Sequence, residues 1–147
     1  MADSALYLLD TNITGYILRD ESPLARQMFR EALGHSRVAV SAISEAEILY
    51  GLERKPEARN LRFAAEKFFQ LIEIFAWDRP AAQAYAHLRN ALRIAGKSLS
   101  EADLLIASHA ASTGAVLVSH DKAFEHVRPF VTVVDWAADV KKPVRMR

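Results

Sequence analysis

Cysteine is absent from this chain of 147 residues, so the fold contains no disulfide bond and no thiolate ligand for a metal. Any bound metal must therefore be held by oxygen or imidazole. No apolar run approaches the roughly 20 residues that are needed to span a bilayer. The first residues include Asp3 and lack the basic and apolar segments of a secretion signal. We therefore expect a soluble cytoplasmic protein.

The chain also lacks a strong imbalance of charge, with 19 basic and 18 acidic residues. Composition alone therefore does not indicate nucleic-acid binding. The length and the 51% content of hydrophobic residues are typical of one globular domain with its own core. Arg89, Arg93 and Lys97 follow one another at intervals of four residues. Such a row is either a solvated helix face, which is the more common case, or a track for phosphates.

Short apolar runs alternate with stretches of helical periodicity along the chain. The runs that predict strands are residues 6–9, 37–41, 73–77, 115–119 and 131–134. Ser22-Pro23 precedes a predicted helix that runs to about Leu33 and that Gly34 ends, and Ser44 is predicted to cap another helix. Ser100 is placed to cap a further helix, which Gly114 ends. Strands separated by helices predict an α/β fold with a mainly parallel central sheet and helices on both faces.

Four acidic residues stand at the boundaries of these predicted elements. Asp10 follows the first strand directly, and Asp121 comes just after the strand 115–119. Glu47 and Asp103 each lie three residues after a serine at a predicted helix start. In open parallel sheets, ligands bind at the carboxyl ends of the strands, and acids that converge there would hold a hard divalent cation. The sequence therefore predicts metal-dependent chemistry, with a phosphodiester as the expected substrate.

Each of these polar residues also has a purely structural interpretation. Glu47 fits a Ser-x-x-Glu capping box with Ser44, and Asp121 could cap the turn that follows it. Asn12 could cap the next helix, and Ser119 could satisfy backbone groups at a strand end. Capping does not explain why two acids at strand ends and two at helix starts would meet along one edge of a sheet.

Two other classes of small α/β protein, and zinc enzymes, need residues that this sequence lacks at the expected positions. A phosphotransfer receiver domain normally carries an acidic pair after its first strand, whereas this chain has Asp10 alone. A haloacid-dehalogenase phosphatase needs a second aspartate where this chain has Asn12. The five histidines form no His-x-x-x-His pair, so we expect them at the surface or hydrogen-bonded in the core rather than at zinc. A non-catalytic, receiver-like or nuclease-like binding module is the alternative to an enzyme.

Four segments in order carry a resemblance to a known family. They are Leu-Asp-Thr-Asn at 9–12, Ser-Glu-Ala-Glu-Ile-Leu-Tyr-Gly at 44–51, Ser-Glu-Ala-Asp-Leu-Leu-Ile-Ala at 100–107 and Leu-Val-Ser-His-Asp-Lys-Ala-Phe at 117–124. Together they resemble the PIN-domain nucleases, specifically the VapC toxins of bacterial toxin–antitoxin pairs. The likeness runs from about Leu6 to Trp136. We therefore expect one PIN nuclease domain over residues 1–136 and a short basic tail over residues 137–147.

The resemblance implies a role for each candidate residue. It makes an acidic quartet that binds Mg²⁺ or Mn²⁺, in which Asp10 and Asp103 are ligands and Glu47 and Asp121 bind directly or through water. Two further residues are implied as supporting groups, Asn12 and Ser119. The general base is left open between Asp103 and Asp121.

The resemblance also implies an activity and a set of partners. The activity is cleavage of RNA, often of a structured RNA such as a particular tRNA. The partners are a second copy of the chain in a homodimer and a cognate VapB antitoxin whose C-terminal segment covers the acidic site. The toxin–antitoxin complex would bind operator DNA through the antitoxin.

Overall fold

One parallel sheet determines where the predicted acids lie. The computed structural model describes residues 5–141, and within them five strands form a sheet in the order β3-β2-β1-β4-β5, with every pair parallel. The strands are β1 (Leu6–Leu9), β2 (Arg37–Ser41), β3 (Glu73–Phe75), β4 (Val116–Val118) and β5 (Val133–Val134). The helices are α1 (Thr11–Arg19), α2 (Pro23–His35), α3 (Ala42–Glu53), α4 (Arg59–Leu71), α5 (Arg79–Ile94), α6 (Glu101–Thr113) and a 3₁₀ helix (Lys122–Val127). The predicted α/β fold with a parallel sheet is confirmed.

Helices cover both faces of the sheet, and β1 lies at its centre. Adjacent residues of a strand point to opposite faces, and both Leu8 and Leu9 are fully buried. Leu8 packs among apolar residues of α5, α6 and the 3₁₀ helix, whereas Leu9 packs among those of α1, α2 and α4. This double burial explains why β1 is a continuous apolar run. No helix of the described chain is both long and apolar enough to cross a membrane.

Several predicted helix ends are confirmed. The hydroxyl of Ser22 accepts a hydrogen bond from the backbone N–H of Ala25 and caps α2, and the hydroxyl of Ser100 caps α6 in the same way. Gly114 ends α6 in the left-handed conformation, with φ +69°. Glycine adopts this conformation without the steric penalty of a side chain.

Two predicted helix boundaries are wrong. Gly34 does not end α2, which continues through it to His35. Ser44 does not cap α3, because this helix begins at Ala42 and is capped by Ser41, the last residue of β2. The chain passes from β2 into α3 without a loop, so Ser44 falls in the first turn and is fully buried. The Ser-x-x-Glu interpretation of Glu47 is therefore wrong as well.

The first residues after Trp136 pack against the domain. Ala137 is fully buried, and Val140 packs against the apolar cluster around Leu9. The carboxylate of Asp139 accepts hydrogen bonds from the Ser22 hydroxyl at 2.6 Å and from the backbone N–H of Leu24 at 3.2 Å. This segment therefore joins the domain to the start of α2. Residues 142–147 of the expected basic tail lie outside the described residues.

We predict that Ser22→Ala lowers the free energy of unfolding by about 1–2 kcal/mol. The substitution removes both the cap of α2 and the hydroxyl that donates to Asp139. Denaturant-induced unfolding measures the difference, and Ser98→Ala, at an exposed loop position, is the control that should change it by less than about 0.5 kcal/mol. Equal unfolding free energies for the two variants would contradict a stabilising role for this junction.

Candidate active site

Asp10 is the one carboxylate that the fold buries within residues 5–141, with 3% of its surface exposed. It follows β1 directly, and its backbone N–H donates to the carbonyl of Val118 in β4 at 3.0 Å. Its Oδ1 accepts a hydrogen bond from the backbone N–H of Ile13 at 2.8 Å, so Asp10 is the N-cap of α1. The strand and the cap together fix this carboxylate at the carboxyl edge of the sheet.

Desolvation by burial raises the pKa of Asp10 to about 7. Hydrogen bonds from the side chain of Ser119 and from the backbone of Ile13 act against this rise, and the charges of Asp103 and Asp121 add to it. Like charges shift a carboxyl group in this way only when they are close. Asp103 and Asp121 therefore both lie near Asp10, and each of the two is only half-buried.

Ser119 connects Asp10 to Asp121. It is buried after β4, and its hydroxyl accepts a hydrogen bond from the backbone N–H of Asp121 at 3.0 Å. Asp121 in turn caps the 3₁₀ helix, because its Oδ1 accepts from the backbone N–H of Ala123 at 2.9 Å. The predicted capping role of Asp121 is confirmed, and the cap also holds this carboxylate near Asp10.

Asp103 reaches the same place from α6. The hydroxyl of Ser100 accepts a hydrogen bond from the backbone N–H of Asp103 at 3.2 Å, which puts Asp103 in the first turn of the helix. The helix dipole favours an ionised carboxylate there. Leu104 and Ile106 are buried and hold this turn against the rest of the fold.

Asp10, Asp103 and Asp121 form what we call the acidic group, and Glu47 lies at its periphery. Its side chain is held by Thr11, whose hydroxyl donates to Oε1 of Glu47 at 2.6 Å and contacts the hydroxyl of Ser44 at 3.1 Å. Thr11 immediately follows Asp10 in the chain, so this hydrogen bond connects Glu47 to the neighbour of the buried acid. Glu47 is exposed and is not among the groups whose charge raises the pKa of Asp10.

Asn12 lies in the first turn of α1 and is exposed. Asp10 caps this helix, so the interpretation of Asn12 as its cap is wrong. No hydrogen bond of the Asn12 side chain occurs within residues 5–141. Its supporting role stays a prediction.

The donor chemistry of this group fits a hard divalent cation. The side-chain atoms that could bind a metal here are carboxylate and hydroxyl oxygens, the ligands that Mg²⁺ and Mn²⁺ prefer. Burial is the main cause of the raised pKa of Asp10, and a cation would offset the smaller contribution from the charges of Asp103 and Asp121. Across the described part of the chain, no three Asp, Glu or His side chains are placed to ligate one ion together. This spacing fits Mg²⁺, which commonly takes one or two carboxylates and keeps several waters.

Two residues near the acids carried no predicted role. Thr11 was recognisable only as part of Leu-Asp-Thr-Asn. Tyr16 is half-buried one turn further along α1, and desolvation followed by the charges of nearby acids, Asp10 first, raises its pKa. Its ring meets the edge of His120, whose Nδ1 lies 2.7 Å from Oδ2 of Asp135. No sequence signal joins these residues, because they come from three separate segments.

The buried histidine of α6 is a core residue rather than part of the acidic group. His109 is 1% exposed, and its Nδ1 lies 2.8 Å from the hydroxyl of Ser41. Burial lowers its pKa, which favours the neutral ring. The expectation of a hydrogen-bonded core histidine is confirmed at this position.

Comparison with known proteins identifies the family. The PIN-domain model matches residues 7–128. A tRNA(fMet)-specific endonuclease VapC from Salmonella typhimurium is 32% identical over 133 residues, which are 88% of this chain and 97% of that relative. Ribonuclease VapC2 from Haemophilus influenzae is 31% identical over 122 residues, which are 82% of this chain and 91% of that relative.

Solved structures show the same fold. VapBC2 from Rickettsia felis, bound to a DNA fragment from its promoter, has a TM-score of 0.83 at 27% identity, covering 89% of this chain and 98% of the other. DNA-bound VapBC from Salmonella typhimurium has a TM-score of 0.80 at 30% identity, covering 90% and 98%. These similarities support the ribonuclease interpretation over the non-catalytic module. The chain therefore belongs to the PIN-domain family and, within it, to the VapC ribonucleases.

Proposed function

We propose that this chain is a divalent-metal-dependent endoribonuclease that acts as the toxin of a VapBC-type pair. The observation that carries the metal site is the buried Asp10 at the carboxyl end of the central strand, with Asp103 and Asp121 close enough to raise its pKa. Oxygen donors favour Mg²⁺, with Mn²⁺ as the second candidate. We assign the nuclease domain to residues 1–136 and the tail to residues 137–147, the first residues of which pack against the domain.

Each acid has a role in this proposal. Asp10 and Asp103 hold the ion directly, and Glu47 and Asp121 hold it directly or through water. When bound, the ion polarises the scissile phosphate and lowers the pKa of an attacking water. The protein's own contribution is to hold the carboxylates in place: the hydroxyl of Ser119 lowers the pKa of Asp10 and accepts a hydrogen bond from the backbone N–H of Asp121.

Three smaller positioning roles complete the site. Thr11 orients Glu47 through its 2.6 Å hydrogen bond. Asn12, exposed at the first turn of α1, supports the first acid, Asp10. We assign the proton-accepting step to one of the two half-buried acids, Asp103 or Asp121, because both can reach solvent.

The names of the relatives support the proposed substrate and partners. A VapC relative named as a tRNA(fMet)-specific endonuclease makes a tRNA the first substrate to test. Similar chains occur in VapBC complexes, two of them bound to DNA. We propose that this chain binds a cognate VapB-type antitoxin, contacts operator DNA through it, forms a homodimer and acts in the cytoplasm.

We predict that the purified chain, free of antitoxin, cleaves a discrete RNA in total cellular RNA with Mg²⁺ or Mn²⁺ but not with EDTA. Asp10→Asn and Asp103→Asn should each reduce the cleavage rate by more than the roughly 10- to 100-fold that outer partners of a metal site contribute. Gel analysis of the cleaved RNA measures both effects.

The matched control is Asp78→Asn. Asp78 caps α5 by accepting from the backbone N–H of Ala81 at 3.1 Å, as Asp10 caps α1, and asparagine keeps an acceptor oxygen at either cap. The control should cleave like the parent chain. Cleavage by folded Asp10→Asn at the parent rate, or no cleavage by the parent in either metal, would reject the proposed site or activity respectively.

Thr11→Val tests the positioning of Glu47. Valine keeps the shape of threonine and removes the hydroxyl, so Glu47 loses its hydrogen bond at the site. We expect the Mg²⁺ concentration for half-maximal cleavage to rise about tenfold, and Thr11→Ser to restore most of the affinity for the ion. An unchanged metal requirement in Thr11→Val would show that Glu47 acts without this contact.

The pKa of Asp10 predicts how the metal-free protein responds to pH. Its folded-state pKa of about 7 lies above the ordinary value of 3.8, so the folded chain holds this proton more tightly than the unfolded chain. The free energy of unfolding therefore falls as the pH rises from about 4 to about 7, and stays lower above that.

Asp10→Asn removes this loss and keeps an acceptor for the N–H of Ile13. In EDTA at about pH 8 we expect the variant to be more stable than the parent chain by at most about 4 kcal/mol. The difference should shrink toward pH 4. Denaturant unfolding over this pH range measures it, and a gain that does not vary with pH would contradict the assignment.

A further inference from the structure

A basic pocket lies beside the start of α6. It has a volume of about 490 Å³ and lies between the second half of α5 and the loop that leads into α6. Its charged lining is Arg89, Arg93 and Lys97 together with a single acid, Glu101. We propose that this α5–α6 pocket binds a backbone phosphate of the RNA substrate next to the scissile one. The inference rests on the proposed ribonuclease function and names a substrate subsite for it.

The pocket concentrates positive charge in a chain whose net charge is only +1. The lining has three exposed cationic side chains and one acidic side chain, and the acidic one is already hydrogen-bonded. The hydroxyl of Tyr85 donates to Oε1 of Glu101 at 2.6 Å and accepts from the guanidinium of Arg89 at 2.6 Å. The remaining charge is complementary to phosphate, which dominates the affinity of proteins for nucleic acids.

The arginines are held in place, which distinguishes them from a solvated helix face. Arg89 lies over the ring of Tyr85 at 5.7 Å, and the edge of this ring contacts Trp77. Arg93 donates to the side-chain oxygen of Asn90 at 2.9 Å. Cations that are already ordered lose less side-chain freedom when they bind a ligand, and guanidinium groups match the geometry of phosphate.

The loop after α5 adds the third cation. The prediction of one helical row is wrong for Lys97, because α5 ends at Ile94. Gly96 takes a left-handed conformation with φ +69°, and the backbone N–H of Lys97 donates to the carbonyl of Leu92 at 2.9 Å. This turn brings Lys97 back to the pocket that Arg93 lines.

The rest of the lining suits a phosphate at a partly desolvated site. Leu92 and Leu104 are buried and form apolar wall, which strengthens the electrostatic attraction in the pocket. Asn90 and Ser98 add neutral donors beside the cations. Phosphate contacts of this kind position the nucleic acid without reading its sequence.

The pocket is close to the acidic group because both use the first turn of α6. Glu101 lines the pocket, and Asp103, two residues later, is near Asp10. These two acids are two residues apart in this turn and lie on different sides of the helix, so the pocket and the acidic group are neighbours around its start. An RNA strand with its scissile phosphate at the acidic group can therefore place a neighbouring phosphate in the pocket.

The test compares two double variants that remove the same charge. Arg93→Gln/Lys97→Gln alters the pocket. Arg30→Gln/Lys67→Gln alters exposed positions in the second halves of α2 and α4. These halves lead to the amino ends of β2 and β3, whereas the acidic group lies at the carboxyl ends of the strands. Binding of fluorescently labelled bulk tRNA is measured by anisotropy in EDTA, where cleavage does not interfere, over a range of KCl concentrations. Cleavage is then measured with Mg²⁺.

The pocket variant should bind the labelled tRNA about tenfold more weakly, and its slope of log affinity against log salt should be shallower by about 1 to 2. Its KM should rise while its kcat is kept, and the charge-preserving Arg93→Lys/Lys97→Arg should bind like the parent. Equal binding by the pocket variant and the parent, or an equal loss in the control, would overturn the inference.

Failure of the proposed function would look different. In that case the parent chain itself would not cleave RNA in either metal, whatever the pocket variant does. If the parent cleaves and the pocket variant binds and cleaves identically, the ribonuclease assignment stands and only the phosphate subsite is rejected.

Discussion

Burial of the Asp10 carboxylate at the end of the central strand is the constraint on which the rest of the site depends. Burial is unfavourable for the charged form and raises the pKa to about 7. The hydrogen bonds from Ile13 and Ser119 offset part of this effect. The charges of Asp103 and Asp121 raise the pKa of Asp10 further, yet the fold brings both residues near it. A group of like charges kept together at a sheet edge is typical of a functional site rather than of a stabilising one.

The capping hydrogen bonds of the fold also position the site. Asp10 caps α1 and Asp121 caps the 3₁₀ helix, so each carboxylate is fixed by backbone that the fold requires. Asp103 is placed by the cap that Ser100 provides for α6. The structural and functional interpretations of these residues are therefore not alternatives. Because β1 and β4 are paired, their carboxyl ends bring two of the caps together.

The sequence predicted features that depend on local signals. The apolar run of β1, the start of α2 after Ser22, the cap at Ser100 and the position of Asp10 after its strand are all confirmed. It failed at Ser44, which resembles a cap but lies inside α3, because β2 runs directly into this helix and Ser41 caps it. The α5–α6 pocket also depends on a loop that turns back on its helix, which residue spacing does not show.

Mn²⁺ binding followed by electron paramagnetic resonance tests whether the acidic group around Asp10 binds one hard divalent cation. We expect the parent chain and Asp78→Asn to bind Mn²⁺ that Mg²⁺ displaces, and Asp10→Asn and Asp103→Asn to lose this binding while they stay folded. If Asp10→Asn bound Mn²⁺ with the same affinity, the ion would lie elsewhere and the proposed site would be wrong.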